Sequence, residues 1–413
     1  MAPRPFPPLL TRRSALQGVT ATFAAAMAPW PASAAGARDP RLVVIVMRGA
    51  LDGLAAAAPV GDPDYAPLRG PFAFTTTSER AGLPLDGFFV VHPAMPVFAR
   101  LFEEKRGLLV HACATGYRER SHFDGQDVLE SGYPGPGRTD SGWLNRAIAQ
   151  LPHLQNGAAV RGLGVGVTAP LVMRGPAPVL GWAPQGLPPA GDDLAARVLD
   201  LYRHRDPALA QALQAGVDTE RMASQGGMTD DNKKNKGGMD SPGGMRQAAA
   251  GAARLLAAED GPRVAALSFE GFDTHQNEGV VTGQLATRLQ GLDAAFEELE
   301  KGLGARWKDT VVVAITEFGR TAHINGTNGS DHGAGTVAFL AGGAVAGGRV
   351  VADWPGLKQA QLYQGRDLAP TTDLRAVLKG VLADQLGLSA QALGGRVFPD
   401  SSHVASLGGL VQA

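Results

Sequence analysis

The chain has 413 residues, of which 44% are hydrophobic and 19% charged, with a formal net charge of −1. That apolar content fills a large core and excludes a disordered chain, while the near-neutral charge argues against a general nucleic-acid binder. Cys113 is the only cysteine, so an intramolecular disulfide is excluded.

Thr11-Arg12-Arg13-Ser14-Ala15-Leu16 precedes an Ala-rich apolar stretch, Val19 to Trp30, and Ala32-Ser33-Ala34 fits a small-residue cleavage site. This resembles a twin-arginine export signal. It predicts cleavage near Ala34, use of the twin-arginine export machinery, and a periplasmic or extracellular mature protein. The apolar stretch is short for a bilayer span, and no later segment reads as transmembrane. Three arginines and no acid lie in residues 1–34, so the mature chain sits at about −4.

Arg41 to Met47 is an apolar run that reads as a strand buried on both faces. It ends at Arg48-Gly49-Ala50-Leu51-Asp52-Gly53. Asp52 is either a metal ligand past the strand end or a turn residue before glycine. Residues 61–90 are loop-like. Val91-His92-Pro93 leads into a helix to about Lys105, and Gly107 to Ala112 is a further strand. His92 and His111 read as packed or capping histidines, and Cys113 as a buried core residue.

Thr115 to Asp127 follows, with Ser121 and Asp124 spaced as a capping box. A helix is expected from there to Ser131, stopped by Gly132. A serine oxygen at a helix N-terminus feels the positive end of the dipole, and a metal could complete its activation as a nucleophile. Capping alone also accounts for it. Arg118 and Arg120 suit an anion site, because guanidinium pairs match phosphate or sulfate oxygens.

Gly142–Gln150 reads as a helix and Gly162–Val167 as a strand. Residues 168–260 read as a helical insertion or cap beside the sheet, interrupted by a polar Gly-rich loop over 225–244. Its methionines (Met222, Met228, Met239, Met245) fit soft-metal binding or low-complexity filler. Arg263 to Phe269 is another strand, followed by Asp273 and His275, which a loop can present to one ion. A helix over Thr282–Leu303 returns the chain to Thr310–Ile315, the central strand, which predicts a parallel crossover. Glu317 and Arg320 lie just past that strand. Asp331-His332-Gly333 then precedes a second apolar run, Thr336 to Leu340. Ligands of parallel α/β sheets bind outside the carboxyl ends of the strands. Glu317, Asp331 and His332 are therefore expected to converge, and these are residue types that bind hydrolytic divalent metals. A packed helix over Thr372–Leu386 closes the chain.

The ordered motifs RGALDGL near Arg48, SHFDGQDVLESG from Ser121, FEGFDTH from Phe269, TEFGRT from Thr316, SDHGAGTVAFLAGG from Ser330 and DWPGL from Asp353 resemble the DUF1501 family. That family in turn resembles the alkaline phosphatase and sulfatase superfamily. The resemblance implies a three-layer α/β/α sandwich with a mainly parallel central sheet and a helical insertion. It also implies metal-assisted hydrolysis of an ester.

By that resemblance Asp52, Asp273, His275, Glu317 and His332 look like metal ligands, with Asp331 a secondary one, and Ser121 lies where the nucleophile precedes its helix. One ion would be held by Asp273, His275 and His332, and a second by Asp52 and Glu317 beside Ser121. The metal expected is Zn or Mn, as one or two ions. Arg320 joins Ser121 as a catalytic candidate, and Arg118, Arg120 and His122 are expected to meet a small anionic ester. Phe318 stands where alkaline phosphatases usually place a His, which bears on the second ion. The stretch after Cys113 lacks the C-x-P/A-x-R signature of formylglycine sulfatases. The competing expectation is a non-catalytic exported binding or assembly protein with the same fold.

Overall fold

The structure, a computed structural model, describes residues 38–138, 140–152, 161–166, 168–184, 198–199, 202–203, 206–225 and 238–412. The expected export signal at 1–34 lies outside them, as do Met228, the side chain of Met222 and most of the polar stretch within 225–244. Pro40–Ala413 form one compact unit.

β1 (Arg41–Met47) is buried along its whole length. Val43, Ile45 and Met47 enter one core, and Leu42, Val44 and Val46 enter another. A strand apolar on both faces is stable only inside a sheet covered on both sides. β8 (Val264–Phe269) and β9 (Thr310–Ile315) flank β1 in parallel, with Val44 opposite Ala266 on one side and Val313 on the other. Beyond β8 lie β6 (Gly162–Val165) and β7 (Val179–Trp182), also parallel. Beyond β9 lie β10 (Thr336–Ala341) and then β5 (Gly107–Ala114). β5 also pairs in parallel with β11 (Arg349–Val351) and β12 (Thr372–Asp373). β10 runs antiparallel to both its neighbours. No described helix intervenes between β9 and β10, so the chain turns back beside itself without the crossover a parallel neighbour requires.

Helices cover both faces. On one, Pro96–Glu103, Pro242–Ala257 and Gln284–Leu303 bury Phe98, Leu255, Leu289 and Phe296. On the other, Trp143–Ile148 and Leu374–Leu386 bury Trp143, Leu144, Val377 and Val381. The fold is a three-layer α/β/α sandwich with a mainly parallel sheet. The helix between β8 and β9 passes over β1, which separates those two strands.

Two expectations need correction. The described parts of 168–260 belong to the layers of the sandwich: β7 extends the main sheet, and Pro242–Ala257 packs on Gln284–Leu303. Small residues permit that close approach: Ala253 stands against Gly302, where a Cβ would lie 2.6 Å from Ala253 Cβ. At Gly251 a Cβ would stand 2.0 Å from the Trp182 ring. Met245 is wholly buried, its sulfur against Gly291, so it is core. The region expected as loop over 61–90 contributes the helix Tyr65–Arg69 and β3 (Leu83–Pro84), which with β4 (Val90–Val91) and β2 (Ala57–Ala58) forms a small antiparallel sheet.

His92 and His111 are packed. Each ring accepts a backbone N–H at Nδ1, from Ala94 and Ala112, and donates Nε2–H to a carbonyl, of Val280 and Ala57. Cys113 is buried, and burial pushes its thiol up to about 12. No described helix is long and apolar enough to cross a membrane.

Candidate metal centre

Four chain segments meet at the carboxyl edge of the sheet. Beyond β8 the chain reaches Asp273 and His275; beyond β9 it reaches Glu317 and Arg320. Because β10 runs backwards, the loop before it, carrying Asp331 and His332, arrives at the same edge. The exit of β5 leads through residues 115–121 to the helix His122–Ser131. Ser121 caps that helix, accepting from Asp124 N, and Gly132 stops it with φ 72°. The 320 and 332 segments are zipped by backbone bonds, Thr321 N to Asp331 O and Gly333 N to Gly319 O, both at 2.8 Å. Gly333 is required there, since a Cβ would lie 2.3 Å from the Arg320 carbonyl carbon.

The candidate ligand atoms of His122, Asp273 and His332 all lie within 4.8 Å of one another. Asp273 Oδ1 is 3.3 Å from His332 Nε2 and 3.1 Å from His275 Nε2, and Oδ2 is 3.4 Å from His122 Nε2. The Nε2 atoms of His275 and His332 face each other at 3.0 Å. Each of the three rings is held from behind through Nδ1. His122 Nδ1 meets Glu317 Oε1 at 2.9 Å, His275 Nδ1 meets Asp331 Oδ1 at 3.1 Å, and His332 Nδ1 meets the Arg120 carbonyl at 2.9 Å. Ionised carboxylates and carbonyls only accept, so all three Nδ1 atoms carry the proton. Every Nε2 therefore faces Asp273, carrying an N–H when the ring is an imidazolium and a lone pair for a cation when it is neutral.

The charges agree with this arrangement. Burial alone would raise Asp273, but the neighbouring His122, His332 and Arg320 outweigh it and hold the carboxyl well below the usual carboxylate range. The Asp273 and Glu317 carboxylates push His122 up to about 9. Glu317 is held down despite burial by donors that include His122, Gly49 N and Thr316.

The residues fit a divalent cation. His122 Nε2 is buried with no hydrogen-bond partner, its 3.4 Å approach to Asp273 being an ion-pair contact only. Two imidazole Nε2 atoms at 3.0 Å can share at most one proton, and both are natural ligands of a cation. Three imidazoles with one carboxylate, each ring oriented by an outer acceptor, is a donor set suited to zinc.

Several expected ligands occupy other places. Glu317 is wholly buried, and its oxygens already accept from Gly49 N, His122 Nδ1, Gln126 Nε2 and Thr316 Oγ1. It orients His122 instead of facing an ion. Asp331 stands in the same relation to His275. Asp52 is buried away from the cluster, accepting from Ala55 N at 3.0 Å and Arg69 Nη2 at 2.7 Å. Among the described residues the second ion expected between Asp52 and Glu317 finds no ligand group, and arginine and imidazole partners take those carboxylates. The contribution of RGALDGL to the site is Gly49 (φ 115°), whose N–H binds Glu317 and whose Cβ would stand 2.5 Å from Asp273 N.

The three arginines are likewise engaged. Arg320 is buried and binds Asp273 Oδ1 at 2.5 Å, so it holds that carboxylate and is not open to a substrate. Arg120 grips Asp367 at 2.8 Å. Arg118 donates to the carbonyls of Thr115 and Tyr117. Arg120 has φ 60°, a strained value for a side chain of its size, and this turns its carbonyl onto His332. His122, expected to touch substrate, instead belongs to the cluster. The signal that could have placed it is its position one residue after the cap of a helix that opens at a strand's carboxyl end. Phe318 stacks on the His122 ring, centroids 5.1 Å apart, and so packs a candidate ligand.

Fold and site together define an α/β sandwich protein in which His122, Asp273 and His332, with His275 beside them, form a group able to hold a cation at the carboxyl edge of the sheet. Residues 112–397 match the family described as "Protein of unknown function (DUF1501)", and the chain belongs to that family. No curated protein matches the sequence significantly. Among solved structures it is similar to Ps i-CgsB in complex with k-i-k-neocarrahexaose (13% identity, TM-score 0.39, covering 89% of this chain and 77% of that one). It is also similar to the phosphonate monoester hydrolase of Agrobacterium radiobacter (13%, TM-score 0.35, 90% and 78%). A third is a protein in the alkaline phosphatase superfamily from Vibrio parahaemolyticus (12%, TM-score 0.32, 78% and 64%). At these TM-scores the superpositions are loose, and the site is read from its own geometry.

Proposed function

We propose that this protein is an exported, metal-dependent hydrolase of phosphate or sulfate esters, working in the periplasm or outside the cell. The observation that carries the proposal is the convergence of the His122, His275 and His332 Nε2 atoms on Asp273, with every Nδ1 anchored. His122, Asp273, His275 and His332 would hold one divalent ion, zinc before manganese on this donor set. When bound, such an ion supplies Lewis-acid charge to an ester oxygen. Arg320 keeps Asp273 ionised and aimed. Ser121 stands one residue before His122, and its Oγ accepts a long 3.5 Å bond from Asp124 N–H. It is the nucleophile in this reading, with the helix N-terminus stabilising negative charge on its oxygen.

The test uses purified mature protein, with metal content measured and a panel of phosphate and sulfate esters assayed with and without Zn²⁺ or Mn²⁺. Turnover that is lost on chelation and in Asp273→Ala supports the hydrolase. Full activity in Asp273→Ala and Ser121→Ala refutes the assigned roles. Export is tested by cell fractionation of a variant with Arg12 and Arg13 both changed to Lys, which should stay inside the cell.

A second reading is an exported binding or assembly protein that holds a cation without turnover. The engagement of Arg118, Arg120 and Arg320 in internal bonds favours it, because each already donates to groups of this chain. A stoichiometric partner recovered from periplasm, with no turnover on the ester panel, decides for this reading.

A further inference from the structure

A chain of buried polar groups runs from the cation cluster to Asp52. Arg320 donates to Asp273 through Nη1, to Ser330 Oγ through Nε and to the Ser330 carbonyl through Nη2. The Ser330 hydroxyl in turn donates to Glu278 Oε2 at 2.7 Å. The Asp52 carboxylate stands close enough to act on the charge of Glu278, and Asp52 is closed off by Arg69 at 2.7 Å. Ser330 and Glu278 are wholly inaccessible; Asp52, Arg69 and Arg320 are 1–2% exposed.

Burial, and then the Asp52 charge beside it, push Glu278 up to about 8, so near neutral pH it keeps its proton. With Glu278 neutral, the chain holds two arginines against Asp52 and Asp273, and its charges cancel. Removing one partner from a buried ionic network leaves an uncompensated group, so such a chain holds its members in one arrangement.

The direction of each bond gives the chain a function. Ser330 Oγ can accept from Arg320 Nε only while its own proton points elsewhere, and Glu278 Oε2 takes that proton. Arg320 is thereby fixed in the plane that places Nη1 on Asp273. We propose that Glu278 is a positioning residue for the metal centre: through Ser330 it fixes Arg320, which fixes Asp273, and so sets cation affinity at a site Glu278 does not touch. This rests on the reading of the cluster as a cation site.

The experiment measures Zn²⁺ affinity of purified mature protein by competition with a chromophoric chelator, and the visible spectrum of the Co²⁺-loaded protein. Ser330→Ala is a small change that keeps the backbone carbonyl. It is expected to weaken Zn²⁺ binding by about 10- to 100-fold, as outer-shell losses do, and to alter the Co²⁺ spectrum. Glu278→Leu should do the same. Glu278→Gln keeps an acceptor for Ser330 in a neutral side chain of the same shape, and should hold affinity to within about threefold of the parent. The double variant Ser330→Ala with Glu278→Leu should bind no more weakly than the worse single one, since both break one chain. Unchanged affinity and spectrum in folded Ser330→Ala overturns the proposal while leaving the cation site intact. A parent protein that takes up no Zn²⁺ or Co²⁺ overturns the reading of the cluster itself.

Discussion

His122 Nδ1 lies 2.9 Å from Glu317 Oε1, and this one contact settles what the carboxylate after the central strand does. Glu317 faces the back of an imidazole whose front faces Asp273. The two residues should therefore differ in kind when replaced. Asp273→Ala and His332→Ala remove candidate ligands and should abolish measurable Zn²⁺ binding. Glu317→Ala should only weaken it, by about 10- to 100-fold. Chelator competition ranks the three variants, and equal loss in all of them would make Glu317 a ligand after all. Glu317→Gln sets an NH₂ group among the donors Gly49 N and Thr316 Oγ1, and should cost about 1–3 kcal/mol of stability in urea unfolding.

Phe318 is the ring against which His122 is packed, and Gly125 makes room for it. A Cβ on residue 125 would lie 2.9 Å from the Phe318 ring and 3.4 Å from Glu317 Cβ. Gly125→Ala should push the ring and helix apart at a cost of about 1–3 kcal/mol, and weaken Zn²⁺ binding with it. Stability and affinity both matching the parent would show that the contact relaxes without consequence.

Ser121 has two possible roles that one pair of variants separates. Ser121→Ala removes the cap of the helix His122–Ser131 and should cost about 1 kcal/mol. Ser121→Asn restores a capping oxygen but supplies no nucleophile. Under the hydrolase proposal, turnover is lost in both while stability returns in the Asn variant. Recovery of turnover in Ser121→Asn would leave the serine as a cap alone.

The packed histidines predict an acid limb in the stability curve. Burial lowers both His92 and His111 from 6.5 to about 4. Between those values the unfolded chain takes up a proton that the native ring refuses. Stability is therefore complete above about pH 6.5 and falls toward pH 4, at ~1.4 kcal/mol per unit for each group. Urea unfolding at pH 7.5, 5.5 and 4.5 reads the slope. His111→Gln should remove its share of that slope, and an unchanged slope would show that the ring does not titrate with unfolding.

The elements were legible because their signals are local. β1, β8, β9 and β10 announce themselves as apolar runs with both faces buried. Ser121 and Gly132 mark the two ends of a helix by side-chain chemistry alone. Asp273, His275 and His332 could be nominated because they follow or precede such runs. The role of 168–260 was not legible, because an Ala/Gly-rich helix face resembles filler until a partner helix is seen to lie against it.

The amino-acid order by itself determined which segments become strands and which acids and histidines stand at their ends, since backbone period and capping act over a few residues. Only the tertiary structure decided who faces whom. It turned β10 against its neighbours, which carried His332 to the shared edge, and it drew His122 into the cluster. It also gave Arg69 to Asp52 and His122 to Glu317, converting two expected ligands into partners of other side chains. Each of those pairings joins residues far apart in the chain, and a carboxylate's role is set by the donor that reaches it first in space.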